Sequence, residues 1–127
     1  MHTTNQSDIL AEAQKAVEEA GQAIDARDVR RVLPALAHPD SAVRDRAAYL
    51  LGNRWKDKRV VKPLLAMLRN PNEDAQVRST VADTLAHHRR RRMILPTLIE
   101  MSADPDPVVR FWCVFAIGSQ VQFRRNP

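Results

Sequence analysis

The strongest fold signal in the chain is the segment from Val43 to Gly52, which reads VRDRAAYLLG. A Val-Arg pair opens two further apolar stripes, at Val77 and at Val109, so the three arginines are 34 and 32 residues apart. Eight residues after each arginine stands a small residue, and these three are Gly52, Ala86 and Gly118. Self-similarity at this period is typical of stacked helical hairpins, in which each repeat packs against its neighbours.

Apolar residues in this segment follow a helical period. Val43, Ala47 and Leu50 fall on one face of a helix predicted over about residues 42–53. A proline precedes each Val-Arg stripe, and each is expected near a helix start because a missing N–H costs little in a first turn. The three prolines are Pro34, Pro63 and Pro96. No alternating strand pattern accompanies these stripes, so the predicted fold class is all-α.

The predicted architecture is an α-solenoid of about three helical hairpins with an N-terminal capping helix. The hairpins are expected at about residues 29–55, 59–90 and 92–120, within a repeat domain over residues 29–120. Residues 1–7 are expected to form a flexible leader, residues 8–28 the capping helix with Ser7 or Asp8 as its N-cap, and residues 121–127 a short tail. A solenoid offers extended surfaces more readily than a buried pocket, so the pattern favours binding over catalysis.

Three segments carry a family resemblance: residues 43–52, residues 60–71 (VVKPLLAMLRNP) and residues 104–118 (DPDPVVRFWCVFAIG). They resemble HEAT repeats, specifically the short bacterial HEAT-like repeats of phycobilisome lyases, over about residues 32–120. The resemblance implies a ladder in which a turn aspartate pairs with a helix arginine of a neighbouring repeat. The aspartates would be Asp40, Asp74 and Asp106, and the arginines Arg44, Arg78 and Arg110. The second copy departs from the family pattern through a longer turn and through Ala86 in place of glycine.

Composition indicates a folded chain with a basic surface. Of its 127 residues, 44% are hydrophobic and 28% are charged, which argues against wholesale disorder. No run approaches the ~20 apolar residues that cross a bilayer, and the polar start, without Lys or Arg, does not resemble a secretory signal. One cysteine, Cys113, cannot form an internal disulfide, which fits a reducing compartment, and a cytoplasmic protein is expected.

Basic residues cluster in the turns between hairpins, where they would share one edge of a solenoid. The formal net charge is +5, which helps attract nucleic acid, anionic membranes or acidic proteins without choosing among them. Two interpretations stay open: a solvated basic edge, or an edge that binds phosphate non-specifically with Trp55 as a stacking neighbour. The candidate anion-binding residues are Arg54, Lys56, Lys58, Arg59, Arg89, Arg90, Arg91 and Arg92.

Aromatic residues concentrate near the C-terminal end. Phe111, Trp112 and Phe115 stand where earlier copies carry mostly polar residues. Either residues 119–127 fold back to cover these rings, or the rings form a homodimer or partner contact, as exposed aromatics commonly do. A protein partner is expected on an inner face formed by the second helices. The candidate partner-binding residues are Asp45, Tyr49, Ser79, Asp83, Phe111, Trp112 and Phe115.

Catalysis finds little support in the residues. No HExxH or CxxC spacing occurs, and the adjacent His87 and His88 point roughly 100° apart on a helix, which is poor for shared metal coordination. Cys113 lies on an apolar stripe and is expected to fill the core. We therefore expect a non-catalytic protein-binding scaffold without metal or cofactor. The alternatives are non-specific nucleic-acid binding and, from the resemblance alone, a relative of bilin-lyase subunits.

Overall fold

The computed structural model describes the backbone of residues 5–125 and the side chains of residues 5–122. Within that part of the chain there are seven α-helices, two 3₁₀ helices and no strand, which confirms the all-α prediction. The helices are α1 (Gln6–Glu19), α2 (Val29–Val32), α3 (Ser41–Gly52), α4 (Val61–Arg69), α5 (Ala75–Leu85), α6 (Arg91–Met101) and α7 (Pro107–Arg125). A 3₁₀ helix over Leu33–Ala37 continues α2, and another over Lys58–Val60 leads into α4.

The helices stack as three successive hairpins. In one layer α5 lies between α3 and α7 and contacts both, while α4 and α6 contact each other in the second layer. The first hairpin consists of α2, the 3₁₀ helix that follows it and α3, and α1 packs against all three. The second hairpin is α4 with α5 and the third is α6 with α7.

The second helix of each hairpin begins at an aspartate. Asp40 accepts a hydrogen bond from the backbone N–H of Ala42 at 2.9 Å, and Asp74 accepts one from Gln76 at 2.8 Å. Asp106 accepts from the N–H groups of both Val108 and Val109, at 2.8 and 3.1 Å. These side chains satisfy amides that have no partner inside the helix, and each such cap stabilises a helix by about 1 kcal/mol.

The core follows the predicted apolar stripes. In α5 the residues Val77, Val81 and Leu85 are buried, and in α7 Val109, Cys113 and Ala116 are buried. These side chains lie one helical turn apart, so each helix presents one continuous face to its neighbours. The core is therefore a chain of local contacts between hairpins, as expected for stacked repeats.

The capping helix is shorter than the predicted 8–28. It begins two residues earlier, at Gln6, with Asn5 as the N-cap accepting from Asp8 N–H at 2.9 Å, and it ends at Glu19. Gly21 adopts a φ of +64°, a left-handed conformation that glycine allows and that terminates helices. Residues 1–4 of the predicted leader lie outside the described residues.

At the other end, the predicted tail is largely helical. Residues 119–125 continue α7 instead of folding back over it, so they do not provide the fold-back cover that was one of the two alternatives for the aromatic rings. Residues 126–127 lie outside the described part of the chain.

One of the three prolines is not near a helix start. Pro63 is the third residue of α4 and Pro34 is the second residue of the 3₁₀ helix Leu33–Ala37, as expected. Pro96 is the sixth residue of α6, where it cannot donate to the carbonyl of Arg92. Arg92 and Pro96 are both exposed, so water can hydrate the carbonyl that loses its helical partner.

Candidate functional site

An arginine ladder links the hairpins, and its first rung is Arg44. Its Nε and Nη2 atoms donate to the carboxylate of Glu73 at 2.9 and 2.8 Å. Its Nη1 atom donates to the backbone carbonyls of His38 and Pro39 in its own hairpin. Arg44 therefore joins the turn of the first hairpin to the turn of the second through charge-assisted hydrogen bonds.

The second rung is Arg78, which pairs with Asp104. Both residues are buried, and Arg78 Nε also donates to the backbone carbonyl of Glu73 at 3.2 Å. This pair joins α5 to the turn that precedes α7. Because both charges are removed from water, each depends on the other for compensation.

The predicted aspartate partners are wrong. Asp40, Asp74 and Asp106 cap helices, and the ladder carboxylates are Glu73 and Asp104, which precede these caps in the turns. The difference is physical, because the cap oxygens already accept from helix amides. A signal was present in the sequence: Asp104 and Asn70 each stand before a proline, and both side chains accept a hydrogen bond from the amide two residues on. Asn70 is uncharged and cannot form an ion pair, so Glu73 in the longer second turn pairs with Arg44 instead.

The third ladder residue, Arg110, has a different environment. Its Nη1 atom donates to the carbonyls of Asp104 and Pro105 at 2.9 Å, the same arrangement that Arg44 has within its own hairpin. Unlike Arg44 and Arg78, it is exposed, and no carboxylate among the described side chains forms an ion pair with it. The third arginine of the ladder therefore lacks a carboxylate partner among the described side chains.

Next to Arg110 lies an aromatic cluster. Phe111 and Phe115 stack with ring centroids 6.5 Å apart and an interplanar angle of 18°, and Trp112 meets both rings edge to face. Phe111 is 60% exposed and Phe115 is 47% exposed, whereas Trp112 is half-buried against the core. Val108 and Val114 are also exposed on this helix. We call Val108, Phe111, Trp112, Val114 and Phe115 the end surface.

The predicted inner face divides into two rows. Tyr49, Asp83 and Phe115 are exposed at equivalent positions of α3, α5 and α7. The other row lies between helices: Asp45 is half-buried and accepts from Thr80 Oγ1 at 2.5 Å, and Ser79 is buried. Ser79 is therefore not accessible to a partner, which corrects the prediction. Its burial follows from the packing of α7 on α5, which a single-helix pattern does not reveal.

Two basic turns meet along one edge. The backbone N–H of Arg89 donates to the carbonyl of Trp55 at 3.0 Å, and the ring of Trp55 lies 6.3 Å from that of His87. His88 Nε2 bonds to the carbonyl of Asp57 at 3.1 Å. The turns after α3 and after α5 are thus adjacent.

Some of the predicted anion-binding residues have structural partners. Arg59 pairs with Asp57 at 2.7 Å and also donates to the carbonyl of Ala26. The hydrogen bond from the Arg59 side chain lowers the pKa of Asp57. Arg54 is half-buried and its Nη1 atom lies 3.5 Å from the carbonyl of Ile24. These two arginines hold loops together. Lys56 and Lys58 are exposed.

Four consecutive arginines line an open groove of about 680 Å³ beside α6. Arg91 Nη1 donates to the carbonyl of Gln120 at 3.4 Å, while Arg89, Arg90 and Arg92 are exposed. Within residues 5–122, none of the four is ion-paired with a carboxylate. We call this feature the arginine groove, and its lining residues are Arg89, Arg90, Arg91, Arg92, Met93, Leu95, Pro96 and Ile99.

Buried polar groups fix the turn that carries the groove. His88 is 1% exposed, its Nδ1 accepts from Arg90 N–H at 3.1 Å, and burial lowers its pKa. The accepting Nδ1 requires the neutral tautomer with the proton on Nε2. Gln120 of α7 donates to the carbonyls of Leu85 and His88 at 2.8 and 2.9 Å. The turn is therefore rigidly attached to both neighbouring helices, a role that the sequence analysis did not assign to either residue.

The described side chains offer no alternative chemical site. Cys113 is fully buried, and burial raises the pKa of its thiol to about 11. Among residues 5–122, no group of three or more His, Cys, Asp or Glu side chains is placed to hold a metal ion. No helix in the described range is long and apolar enough to cross a membrane.

Comparison with known proteins identifies the repeats. A family model described as HEAT repeats matches residues 61–123, which include α4, α5 and α6 and most of α7. No curated protein matches the chain. The segment from residue 61 to residue 123 is therefore similar to HEAT repeats, and the all-helical stack that contains it is an α-solenoid.

Proposed function

We propose that the chain is a non-catalytic scaffold that binds a protein partner through the end surface. The observation that carries this proposal is the exposed, mutually packed set of Phe111, Trp112 and Phe115. Rings that already pack on one another lose little conformational freedom on binding, and aromatic side chains dominate the energetics of protein interfaces. HEAT repeats generally serve as protein-interaction scaffolds, which supports the same conclusion.

The chemistry of the end surface favours a protein over a small ligand. Its residues lie along the outside of α7 and present a convex apolar stripe, whereas small-molecule sites are usually concave. A contiguous apolar area on a folded protein commonly marks an interaction site. The exposed row of Tyr49, Asp83 and Phe115 extends this stripe across the second helices. Because the single cysteine is unpaired, we propose a reducing, cytoplasmic setting for the complex.

Partner capture tests the proposal. The tagged chain is used to retain proteins from a lysate of its source organism, and the retained partner is compared between the parent and a Phe115→Asp variant. Phe115→Asp is expected to abolish retention with an unchanged melting temperature, because Phe115 is exposed. Ile99→Asp on α6 is the matched control, since Ile99 is an exposed apolar residue on a different helix. Equal retention by parent and Phe115→Asp would contradict the proposal.

A homodimer is the other occupant that the end surface could accept. Light scattering after size-exclusion chromatography gives the molar mass of the parent directly. A dimer that Phe115→Asp converts to a monomer would assign the surface to self-association.

A second candidate function is non-specific nucleic-acid binding in the arginine groove. Arg89, Arg90 and Arg92 are exposed beside one another and have no carboxylate partner within residues 5–122. Such clustered cations bind phosphate by releasing counterions, so affinity must fall steeply with salt. The groove shows no zinc site or recognition helix, and binding would depend on the backbone of the nucleic acid rather than on its bases.

Fluorescence anisotropy of a labelled single-stranded oligonucleotide tests this second function. With three phosphate contacts to a single strand, binding is expected to weaken by about 20-fold between about 50 and 200 mM salt, and to be lost in the triple variant Arg89→Ala, Arg90→Ala, Arg92→Ala. The control triple, Lys15→Ala, Arg30→Ala, Lys62→Ala, removes the same charge from exposed positions elsewhere. Identical affinities for the two triples would exclude the groove as the binding site.

A further inference from the structure

The second helices of the three hairpins, α3, α5 and α7, differ in the exposure of two equivalent positions. Ala48 of α3 and Ala82 of α5 are completely buried, and each is followed four residues later by the buried small residue of its repeat. The equivalent residues of α7 are Val114 and Gly118, and both are exposed. The face that α3 presents to α5, and that α5 presents to α7, is therefore uncovered on α7.

The glycines show this difference at atomic scale. A Cβ atom placed on Gly52 would lie 2.1 Å from Oγ1 of Thr84, so α3 and α5 approach each other closely at this point. A Cβ atom placed on Gly118, the equivalent residue of α7, meets no atom within 4 Å. The surface of α7 at Gly118 is therefore free to accept a closely packed helix, as α3 does at Gly52.

The charges show the same difference. Arg44 and Arg78 each donate to a carboxylate in the turn of the following hairpin. Arg110 has the same anchoring bonds within its own hairpin, and its guanidinium is exposed without a carboxylate from the described residues. An apolar stripe of Phe111, Val114 and Gly118 runs beside it at three- and four-residue steps. We call Arg110, Phe111, Val114 and Gly118 the end junction.

We infer that the end junction binds a helical hairpin of a different protein, with an Asp or Glu in the hairpin turn that pairs with Arg110. The second helix of that hairpin packs on Val114 and Gly118, as α5 packs on Gly52 through Thr84. The inference rests on the proposed function, because it specifies the partner of the end surface. It adds the class of the partner, an α-helical repeat protein, and the acidic residue that recognition requires.

A second copy of this chain does not fit the end junction in a head-to-tail arrangement. The turn of the first hairpin contains His38 and Pro39 where the later turns carry the ladder carboxylates. His38 Nε2 is bonded to Gln14 of α1 at 2.8 Å, and α1 covers the upstream side of this hairpin. The outer side of α1 is charged, with exposed Glu12, Lys15 and Glu18. The first hairpin of a second copy therefore does not supply the carboxylate that pairs with Arg110.

The test supplies a hairpin of known sequence. Residues 1–118 are followed by a second copy of residues 87–127, so that Arg110 of the original hairpin faces Asp104 of the added copy. Hydrogen exchange then measures the opening of the added hairpin in four forms: the extended parent, Arg110→Ala, Asp104→Asn in the added copy, and both together. This cycle separates the pairing of the two side chains from their other contacts.

The expected result is protection of both added helices, an increase of about tenfold in hairpin opening for each single substitution, and no further increase in the double variant. Full exchange of the added hairpin, or additive effects of the two substitutions, would overturn the inference. A second measurement needs no extension: in the original chain Arg110→Glu is expected to weaken partner retention at least tenfold, whereas Arg30→Glu at an exposed position of α2 does not. Equal retention by these two variants would also overturn it.

The failure of this inference can be told apart from failure of the proposed function. If the cycle shows no coupling while Phe115→Asp abolishes partner retention, the end surface binds a partner of another class and only the inference fails. If the added hairpin docks but the extended chain retains the same partner as the original, the partner binds elsewhere. That result overturns both the proposed function and the inference.

Discussion

Arg78 and Asp104 form an ion pair that is buried between the second and third hairpins. The guanidinium also holds the carbonyl of Glu73, so that one side chain fixes two successive turns. Both charges are buried away from water, so each is compensated only while the other is present. The ion pair joins α5 to the turn before α7 and so holds the third hairpin against the second.

Replacing Asp104 by Asn removes the charge while keeping a side chain that can accept the turn hydrogen bond, as Asn70 does at the equivalent position. We expect the free energy of unfolding to fall by about 3–5 kcal/mol because Arg78 is left buried and uncompensated. Urea denaturation followed by circular dichroism measures the change. Asp106→Ala, which removes only a helix cap, is expected to cost about 1 kcal/mol. Equal losses in the two variants would contradict a dominant role for the ion pair.

Adding one methyl group at equivalent glycines should have opposite effects. Gly52→Ala places a Cβ atom against Thr84, and overpacking of this kind destabilises by about 1–3 kcal/mol. Gly118→Ala meets open space inside a helix, where alanine is more favourable than glycine by up to about 1 kcal/mol. Thermal unfolding of the two variants beside the parent tests both signs. A loss of stability in Gly118→Ala would show that the face is already covered in the isolated chain.

The sequence predicts the stacking well because it depends on local periodicity. Val77, Val81 and Leu85 are one turn apart, and any helix with that spacing buries them on one face. The helix starts at Asp40, Asp74 and Asp106 follow for the same reason, since a cap acts within its own turn.

The details that the sequence does not predict depend on contacts between repeats. Ser79 is polar and suited to a surface, yet α7 buries it. Glu73 becomes the partner of Arg44 because the longer second turn carries it to the neighbouring hairpin. Gly21 ends α1 early through a left-handed conformation that a helical pattern does not reveal. The exposure of Phe111 likewise depends on which helix face has no neighbour.

The single thiol should report on opening of the third hairpin. Cys113 is fully buried and its pKa is raised to about 11 by burial, so the reactive thiolate is scarce at pH 8. We expect a disulfide reagent to label the native chain slowly, at a rate limited by opening, and to label the chain in urea at once. Asp104→Asn should accelerate labelling because it weakens the attachment of α7. Immediate labelling of the native parent would place the thiol at the surface.

Acid should destabilise the fold through His88. Its pKa in the unfolded chain is about 6.5, and burial lowers the pKa in the folded chain. As the pH falls below about 6.5, the unfolded chain takes up the proton first, so acidification favours unfolding until the folded pKa is passed. The loss can reach about 1.4 kcal/mol per pH unit for one proton.

Burial is the largest influence on the pKa of His88 and lowers it, as does the charge of Arg90, whereas the hydrogen bond to the Asp57 carbonyl and the charge of Asp57 act in the opposite direction. Arg90 donates its N–H to Nδ1 and repels a positive ring, Asp57 accepts from Nε2 through its carbonyl, and Gln120 bonds to the His88 carbonyl rather than to the ring. His88→Asn keeps an acceptor for the Arg90 amide but cannot titrate. The variant should therefore lose less stability than the parent between pH 6.5 and 5, measured by urea denaturation at each pH. Parallel curves for the parent and His88→Asn would show that other groups cause the acid sensitivity.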